Sequence, residues 1–350
     1  LLQSISWSSL STGEQDRLLQ RPVFDDTGLS ASVRAILRRV RDGGDQALTA
    51  LTEEIDGCTP ACFEAGPAEL AEAAERVDAS LLTAIRDASE RIRALHQADK
   101  PANSRLETAP GLVCEVRYQP LSPVGLYIPG GSAPLVSTVL MLAVPAALAG
   151  CEQVVMCSPP GKDGRIADEI LAAAHHCGVS RVFCAGGAQA IAAMAYGTGQ
   201  IPRCANIFGP GNAWVTDAKQ QVSQDAAGAA IDMPAGPSEV LVIADQDAQP
   251  EFIAWDLLSQ AEHGPDSQVI LLTPSPRLAD AVIREIGLQV PRSPRSGILR
   301  QSLAASRIIL VDSLDEAVQL SNQYAPEHLI LNTRNAAELA GRVRNAGGVV

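Results

Sequence analysis

From about Leu112 onward, short apolar runs alternate with amphipathic stretches of helical period, and this restricts the fold more than any other feature of the 350-residue chain. The runs predict strands over 125–128, 153–157, 181–184, 206–208, 240–243, 269–272, 307–311 and 329–331. Between and after them the helical period predicts helices over 137–148, 165–177, 188–195, 213–222, 250–261, 276–287, 314–322 and 336–345. Strand–helix alternation on this scale means parallel sheets covered by helices. Eight units exceed one comfortable open sheet. A division into two is expected near Met233-Pro234-Ala235-Gly236-Pro237, a segment too rich in Pro and Gly for a regular element. The first 110 or so residues read as helical. Val33, Ile36, Leu37 and Val40 share one helix face, a Gly43-Gly44 break precedes 45–51, and 68–77 and 81–97 repeat the pattern. The stretches 21–29 and 58–67 read as loops. The expected fold is α/β: two Rossmann-like doubly wound parallel-sheet domains with a helical N-terminal segment. The expected boundaries are an N-terminal arm (1–22), a discontinuous α/β domain (23–126 plus 238–350) and an inserted α/β domain (127–237).

Composition narrows the function classes. A net charge of −13 repels phosphate backbones, and 3% aromatic content argues against stacking platforms, so nucleic acid is not an expected partner. The eight cysteines show no CxxC pair and no regular framework, which fits buried thiols in a reducing, cytoplasmic setting. The longest apolar stretch, 134–150, is interrupted by Ser137, Thr138 and Pro145 and reads as a buried helix, with no membrane partner expected. Leu1 to Leu10 carry no basic charge before their apolar positions, so no signal peptide is expected. The chain starts without Met, and Gly347-Gly348-Val349-Val350 reads as the start of a strand, so a C-terminal tail absent from this sequence is expected.

Three glycine-bearing loops follow predicted strands directly, where α/β sheets bind ligands: Tyr127-Ile-Pro-Gly-Gly-Ser132, Gly186-Gly-Ala-Gln189 and Gly209-Pro-Gly-Asn212. Each leads into a helix N-terminus, whose free N–H groups favour anions; alternatively the glycines only close tight turns. None matches the dinucleotide fingerprint. Gly209-Pro-Gly-Asn-Ala-Trp214 begins like it but ends in an indole where close packing needs glycine.

Two further clusters carry candidate chemistry. Gln260 and His263 lie three residues apart at a helix end terminated by Gly264-Pro265, on one face. They read either as a metal-binding pair or as a helix-end histidine favoured by the dipole. Glu327 and His328 follow Pro326 just before a strand and are two adjacent proton acceptors. On extended backbone they point to opposite sides, so shared work on one substrate needs a bend; the alternative is a surface turn. His96 and the His175-His176-Cys177 run read as surface or packing residues. Consecutive helical residues point about 100° apart and do not converge on an ion.

Taken together, six segments resemble the histidinol dehydrogenase family. They are Val124-Gly-Leu-Tyr-Ile-Pro-Gly-Gly-Ser-Ala-Pro134, Gly186-Gly-Ala-Gln-Ala190, Ile207-Phe-Gly-Pro-Gly-Asn212, Ile231-Asp-Met-Pro-Ala-Gly-Pro-Ser-Glu239, Asp256-Leu-Leu-Ser-Gln-Ala-Glu-His-Gly-Pro-Asp266 and Pro326-Glu-His328. The resemblance runs from about residue 15 onward. It implies a zinc-dependent enzyme of histidine biosynthesis that oxidises L-histidinol to L-histidine through the aldehyde with two NAD+. It implies His328 as base on the alcohol and Glu327 as activator of the water that adds to the aldehyde. Gln260 and His263 are then two zinc ligands, with the remaining ligands expected beyond Val350. Ser238, Gln260, His263 and His328 contact substrate, and Tyr127, Gln189 and Asn212 line an NAD site that lacks the standard fingerprint. A homodimer is also implied. Two other readings compete: a paralogue oxidising another small polar alcohol, such as a sulfonated diol, and a non-catalytic binding protein on the same fold.

Overall fold

The computed structural model describes residues 2–21, 28–58, 62–130, 134–233 and 239–350. The chain divides into two units, Asp26–Ala235 and the pair of segments Leu1–Asp25 and Gly236–Val350. In chain order the strands are β1 (Ser4–Ser6), β2 (Glu64–Ala65), β3 (Ser104–Ala109), β4 (Leu112–Val116), β5 (Val124–Tyr127), β6 (Val154–Ser158), β7 (Arg181–Cys184), β8 (Asn206–Phe208), β9 (Ala230–Ile231), β10 (Glu239–Ala244), β11 (Gln268–Thr273), β12 (Arg307–Leu310), β13 (His328–Asn332) and β14 (Gly348–Val349).

The 26–235 unit holds the sheet β2-β7-β6-β5-β8-β9, parallel except for β2, which runs antiparallel to β7. Counted from β5, its parallel strands follow the order three, two, one, four, five. This is the doubly wound arrangement, with its switch point between β5 and β8. Successive residues of the strands feed opposite cores. Val155 and Cys157 join one cluster while Met156 joins the other. Both faces are therefore covered, which is why the sequence shows unbroken apolar runs instead of alternation.

The second sheet, β1-β12-β11-β10-β13-β14, is parallel throughout and repeats the logic. Val240, Val242 and Ala244 face one core; Leu241 and Ile243 face the other. The two-sheet α/β fold expected from the sequence is thus present, and the helical N-terminal segment forms the helices Leu29–Asp56, Pro67–Arg76 and Ala79–Ala98. The Gly43-Gly44 break is real: Gly44 leaves helical geometry at φ 54, ψ −136 inside Leu29–Asp56.

The expected grouping of 23–126 with 238–350 needs correction. Val33, Leu37, Val40, Leu48 and Leu51 of helix Leu29–Asp56 are buried in one cluster with Val155, Cys157 and Phe183. Leu70, Ala73 and Ile85 of the next two helices are buried with Leu126, Met156 and Val182. The N-terminal helices cover the sheet of 124–231, the nearest uncovered apolar surface along the chain. The discontinuous partner of 236–350 is instead the first segment. Leu2 and Trp7 enter the cores of its sheet, and β1 pairs with β12.

The hairpin β3–β4 was not anticipated. Its turn falls at Pro110-Gly111, with Gly111 at φ 76. The stretch lacks strand-like apolar alternation because every residue of both strands is exposed.

Leu48→Ala should destabilise the 26–235 unit by about 2–5 kcal/mol through cavity formation, read as a lowered urea midpoint. A loss below about 1 kcal/mol would contradict the packing of this helix on that sheet.

Candidate active site and cofactor cleft

In the 26–235 unit, a cleft of about 870 Å³ opens at the carboxyl ends of the parallel strands. It is lined by Tyr127, Pro129 and Gly130 after β5, Pro159 and Pro160 after β6, Gly187 to Gln189 after β7, and Asn212 and Trp214 after β8. Helix Leu29–Asp56 closes one side with Ile36, Glu54, Ile55 and Asp56. The position at a topological switch point and the size suit a cofactor-sized molecule.

The glycines around this cleft are required by close approach. A Cβ at Gly130 or Gly186 would lie 2.4 Å from Pro159, and one at Gly209 (φ 122) would lie 2.2 Å from the Tyr127 carbonyl oxygen. Gly209 is held further by Asp232, which accepts its N–H at 2.8 Å, and by the buried Lys219, which donates to its carbonyl at 2.7 Å and pairs with Asp232. Trp214, at the third-glycine position of the apparent fingerprint, is 41% exposed and lines the cleft, so it does not obstruct helix–sheet packing.

The three expected cofactor-site residues meet here. Tyr127 is buried, and its hydroxyl accepts the Gly187 N–H at 3.0 Å. Burial pushes its pKa up to about 12, so it stays neutral. Gln189 is fully buried; its Nε2 donates to Asp56 at 3.2 Å, while its Oε1 has no partner among the described residues. A buried amide oxygen left open at a cleft is a ready acceptor for a ligand N–H. Asn212 caps helix Ala213–Gln224, accepting the Val215 N–H at 3.1 Å, so its oxygen is partly committed to structure. Residues 131–133 of the first glycine loop, Ser132 included, lie outside the described residues.

In the other unit, the second cluster gathers at the amino ends of the strands, the edge opposite to the one expected for an α/β ligand. Register fixes it there: Val240 pairs with His328, and Glu239 pairs with Gln268. The turn into β13 is bent. Ala325 takes a left-handed conformation (φ 55, ψ 66), unusual for a residue with a Cβ, and Pro326 follows. The bend removes the opposition that extended backbone would impose. Glu327 Oε1 lies 3.7 Å from His328 Nε2, with both side chains about half exposed. Glu327 Oε2 accepts the Glu239 N–H at 3.2 Å, which ties the acid to the first residue of β10.

Gln260 sits in the last turn of helix Pro250–Ala261, and the His263 N–H donates to the Gln260 carbonyl at 3.2 Å, just before Gly264-Pro265. Gln260 is half-buried and His263 exposed, and neither side chain is hydrogen-bonded to a described residue. The helix ends where β11 begins beside β10, so the pair belongs to the same strand edge as His328. Ser238 lies outside the described residues. Among the described residues no three His, Cys, Asp or Glu side chains gather as a metal site. His176 instead bonds Ser89 at 2.8 Å, consistent with a packing role for the 175–177 run.

The family described as Histidinol dehydrogenase matches residues 19–350. The chain is 51% identical to histidinol dehydrogenase of Aliivibrio fischeri over 99% of its own length and 79% of the relative's, and 54% identical to that of Xylella fastidiosa over 99% and 81%. The crystal structure of histidinol dehydrogenase from Elizabethkingia anophelis superposes with a TM-score of 0.94 at 42% identity, over 99% of this chain and 79% of that one. The chain belongs to the histidinol dehydrogenase family. Membership makes it an oxidoreductase of histidine biosynthesis. Among the described residues no helix is long and apolar enough to cross a membrane.

Reading single motifs missed Asp56, Lys219 and Asp232, which build the cleft, and Arg21 and Glu239 at the other edge. Lys219 and Asp232 lie 13 residues apart and carried no local pattern; a charged residue inside an apolar helix face was the only available signal.

Burial raises the Asp56 carboxyl above its ordinary value; the Gln189 hydrogen bond opposes this more weakly. Between the unfolded and folded pKa values the native state binds more protons, so stability falls as pH rises through that window and stays lowered at neutral pH. Asp56→Asn should therefore melt higher than the parent at neutral pH, with the difference vanishing below the ordinary carboxylate range. A variant that melts lower at neutral pH would contradict this account of Asp56.

Proposed function

We propose that this chain oxidises L-histidinol to L-histidine through the aldehyde, using two NAD+ and a zinc ion. The observation that carries this is the bent 325–328 turn in a chain of this family, which brings a carboxylate and an imidazole together at one strand edge. His328 takes the proton of the substrate hydroxyl, a task suited to an imidazole base. Glu327 takes a proton from the water that adds to the aldehyde carbon. Its Oε2 is oriented by the Glu239 N–H. The four-electron balance is two hydrides to two NAD+, one oxygen from water, and release of the remaining protons.

Tyr127, Gln189 and Asn212 would hold NAD, which accepts the hydride in each oxidation. The open Gln189 Oε1 and the glycine-walled cleft support this. Gln260 and His263 would hold zinc, and Ser238, Gln260, His263 and His328 would contact the substrate. When bound, zinc would supply a template that orients a small polar substrate. The His263 imidazole is an ordinary zinc donor and the Gln260 amide oxygen a weaker one, and neither is engaged by a described residue, so the pair is chemically able to hold the ion in part. The other ligands would come from outside residues 1–350.

A homodimer is supported by the β3–β4 hairpin. Two strands exposed on both faces, bearing Leu106, Leu112 and Val116 and followed by the exposed Tyr118, are marginal alone and suit cover by a second copy. All eight cysteines are free, which fits a reducing, cytoplasmic setting, but only Cys157, Cys184 and Cys204 are buried as expected, while Cys62 and Cys114 are exposed. Sedimentation should give twice the chain mass; a monomer at micromolar concentration would remove the dimer from the proposal.

His328→Asn should lower kcat for histidinol oxidation by about 10²–10⁴-fold, and Glu327→Gln should lower histidinal oxidation over a similar range, both followed by NADH formation. Chelation should abolish turnover and added zinc restore it, while His263→Ala should lower the zinc content. Full activity in either catalytic variant would sink the reading. Turnover of another polar alcohol without histidinol turnover would favour the paralogue.

A further inference from the structure

Glu239 is the first residue of β10 and is almost wholly buried, yet it is a carboxylate. Arg21 meets it in a two-pronged ion pair: Nε pairs with Oε1, and Nη2 donates to Oε2 at 2.9 Å. The same Nη2 donates to the carbonyls of Tyr324 (3.0 Å) and Ala325 (2.9 Å). The guanidinium also lies over the Tyr324 ring, 4.5 Å from its centre. The Tyr324 hydroxyl in turn donates to Gln268 at the start of β11. Two strand beginnings and one helix end are thus joined through Arg21 and the Tyr324 ring it covers.

The network converges on the proposed acid. Ala325 is the left-handed residue that makes the bend, and Arg21 bonds its carbonyl. Glu239, locked by Arg21 through its side chain, presents its own N–H to Glu327 Oε2. On the far side Gly347 and Gly348 donate to the carbonyls of Pro326 and Glu327 at 3.0 and 2.8 Å. These hold the backbone of the turn and do not aim the carboxylate. Among the described residues, the Glu239 N–H is the one backbone donor from another strand that reaches the carboxylate itself. His328 differs. It is already inside the ladder, paired with Val240 and with Gly348.

From this geometry we infer that Arg21 is a positioning residue for Glu327: through Glu239 and the Ala325 carbonyl it sets the carboxylate that activates water in the second oxidation. The inference rests on the proposed roles of Glu327 and His328 and adds a requirement that those roles alone do not contain. Loss of Arg21 misplaces Glu327 more than His328. The aldehyde step therefore suffers more than the alcohol step. A purely structural role would lower both in proportion to the folded fraction.

The test measures histidinol and histidinal oxidation separately in the zinc-loaded enzyme, with folding followed by circular dichroism. Arg21→Ala should lower kcat for histidinal about 10–100-fold, with KM within about threefold, and lower histidinol oxidation several-fold less. Arg21→Lys, which keeps the charge without the two-pronged geometry, should recover part of the loss. A lone buried Glu239 could prevent Arg21→Ala from folding, so the paired change Arg21→Met with Glu239→Leu, which leaves no unpaired charge, serves as a second arm with the same expected signature. Equal loss in both steps, or no loss, in folded Arg21→Lys and the paired variant overturns the inference. Glu327→Gln measured alongside separates the two levels. A slow Glu327→Gln with normal Arg21 variants overturns the positioning role alone, and a fully active Glu327→Gln overturns the role assigned to Glu327 as well.

Discussion

Strand register at β10 is the constraint on which the candidate site depends. In a parallel sheet a strand cannot slide by one residue without turning its apolar set to the wrong face. Val240, Val242 and Ala244 belong to one core and Leu241 and Ile243 to the other, so β10 is held on both sides. With β10 locked, Glu239 must lie beside Gln268 and Val240 beside His328. The charged pair Arg21–Glu239 can then be buried at this edge because both of its oxygens are engaged, which is the condition under which a buried carboxylate is tolerated.

The cleft of the 26–235 unit follows from a different constraint, close approach at the carboxyl ends of its sheet. Pro159 is seated between Gly130 and Gly186, and Gly209 lies against the Tyr127 carbonyl. Any side chain at those glycines would push the strand ends apart. The Lys219–Asp232 pair fastens the Gly209 turn from behind. What remains open is a cleft with one unsatisfied buried acceptor, Gln189 Oε1. Glycines from three separate loops supply here the close approach that a dinucleotide fingerprint concentrates in one loop.

The residues at the amino edge of the second sheet show where local reading stops. Gln260 and His263 were legible as a helix-end pair because a period of 3.6 and a Gly-Pro stop are local signals, and the helix runs over 250–261 as expected. Glu327 and His328 were legible as neighbours but not as a converging pair. Extended backbone would have separated them; the left-handed Ala325 and the bend at Glu327 bring them together. Nothing in Ala325-Pro326 states that conformation, because alanine disfavours it and only the surrounding bonds impose it. Arg21 was invisible for a related reason: its partner is 218 positions away.

By itself, the sequence determined the two sheets, the positions of eight of their strands (β5–β8 and β10–β13) but not of β1, β2 or β9, the helices between those eight, the glycine loops and the family, since apolar period, turn chemistry and long motifs are carried by adjacent residues. Tertiary structure alone decided that helices 29–98 cover the 124–231 sheet, that segment 1–25 joins the 236–350 unit, and that Arg21 reaches the turn before His328. Apolar faces state that they need a partner, but not which one. That choice depends on the geometry of every other buried surface at once.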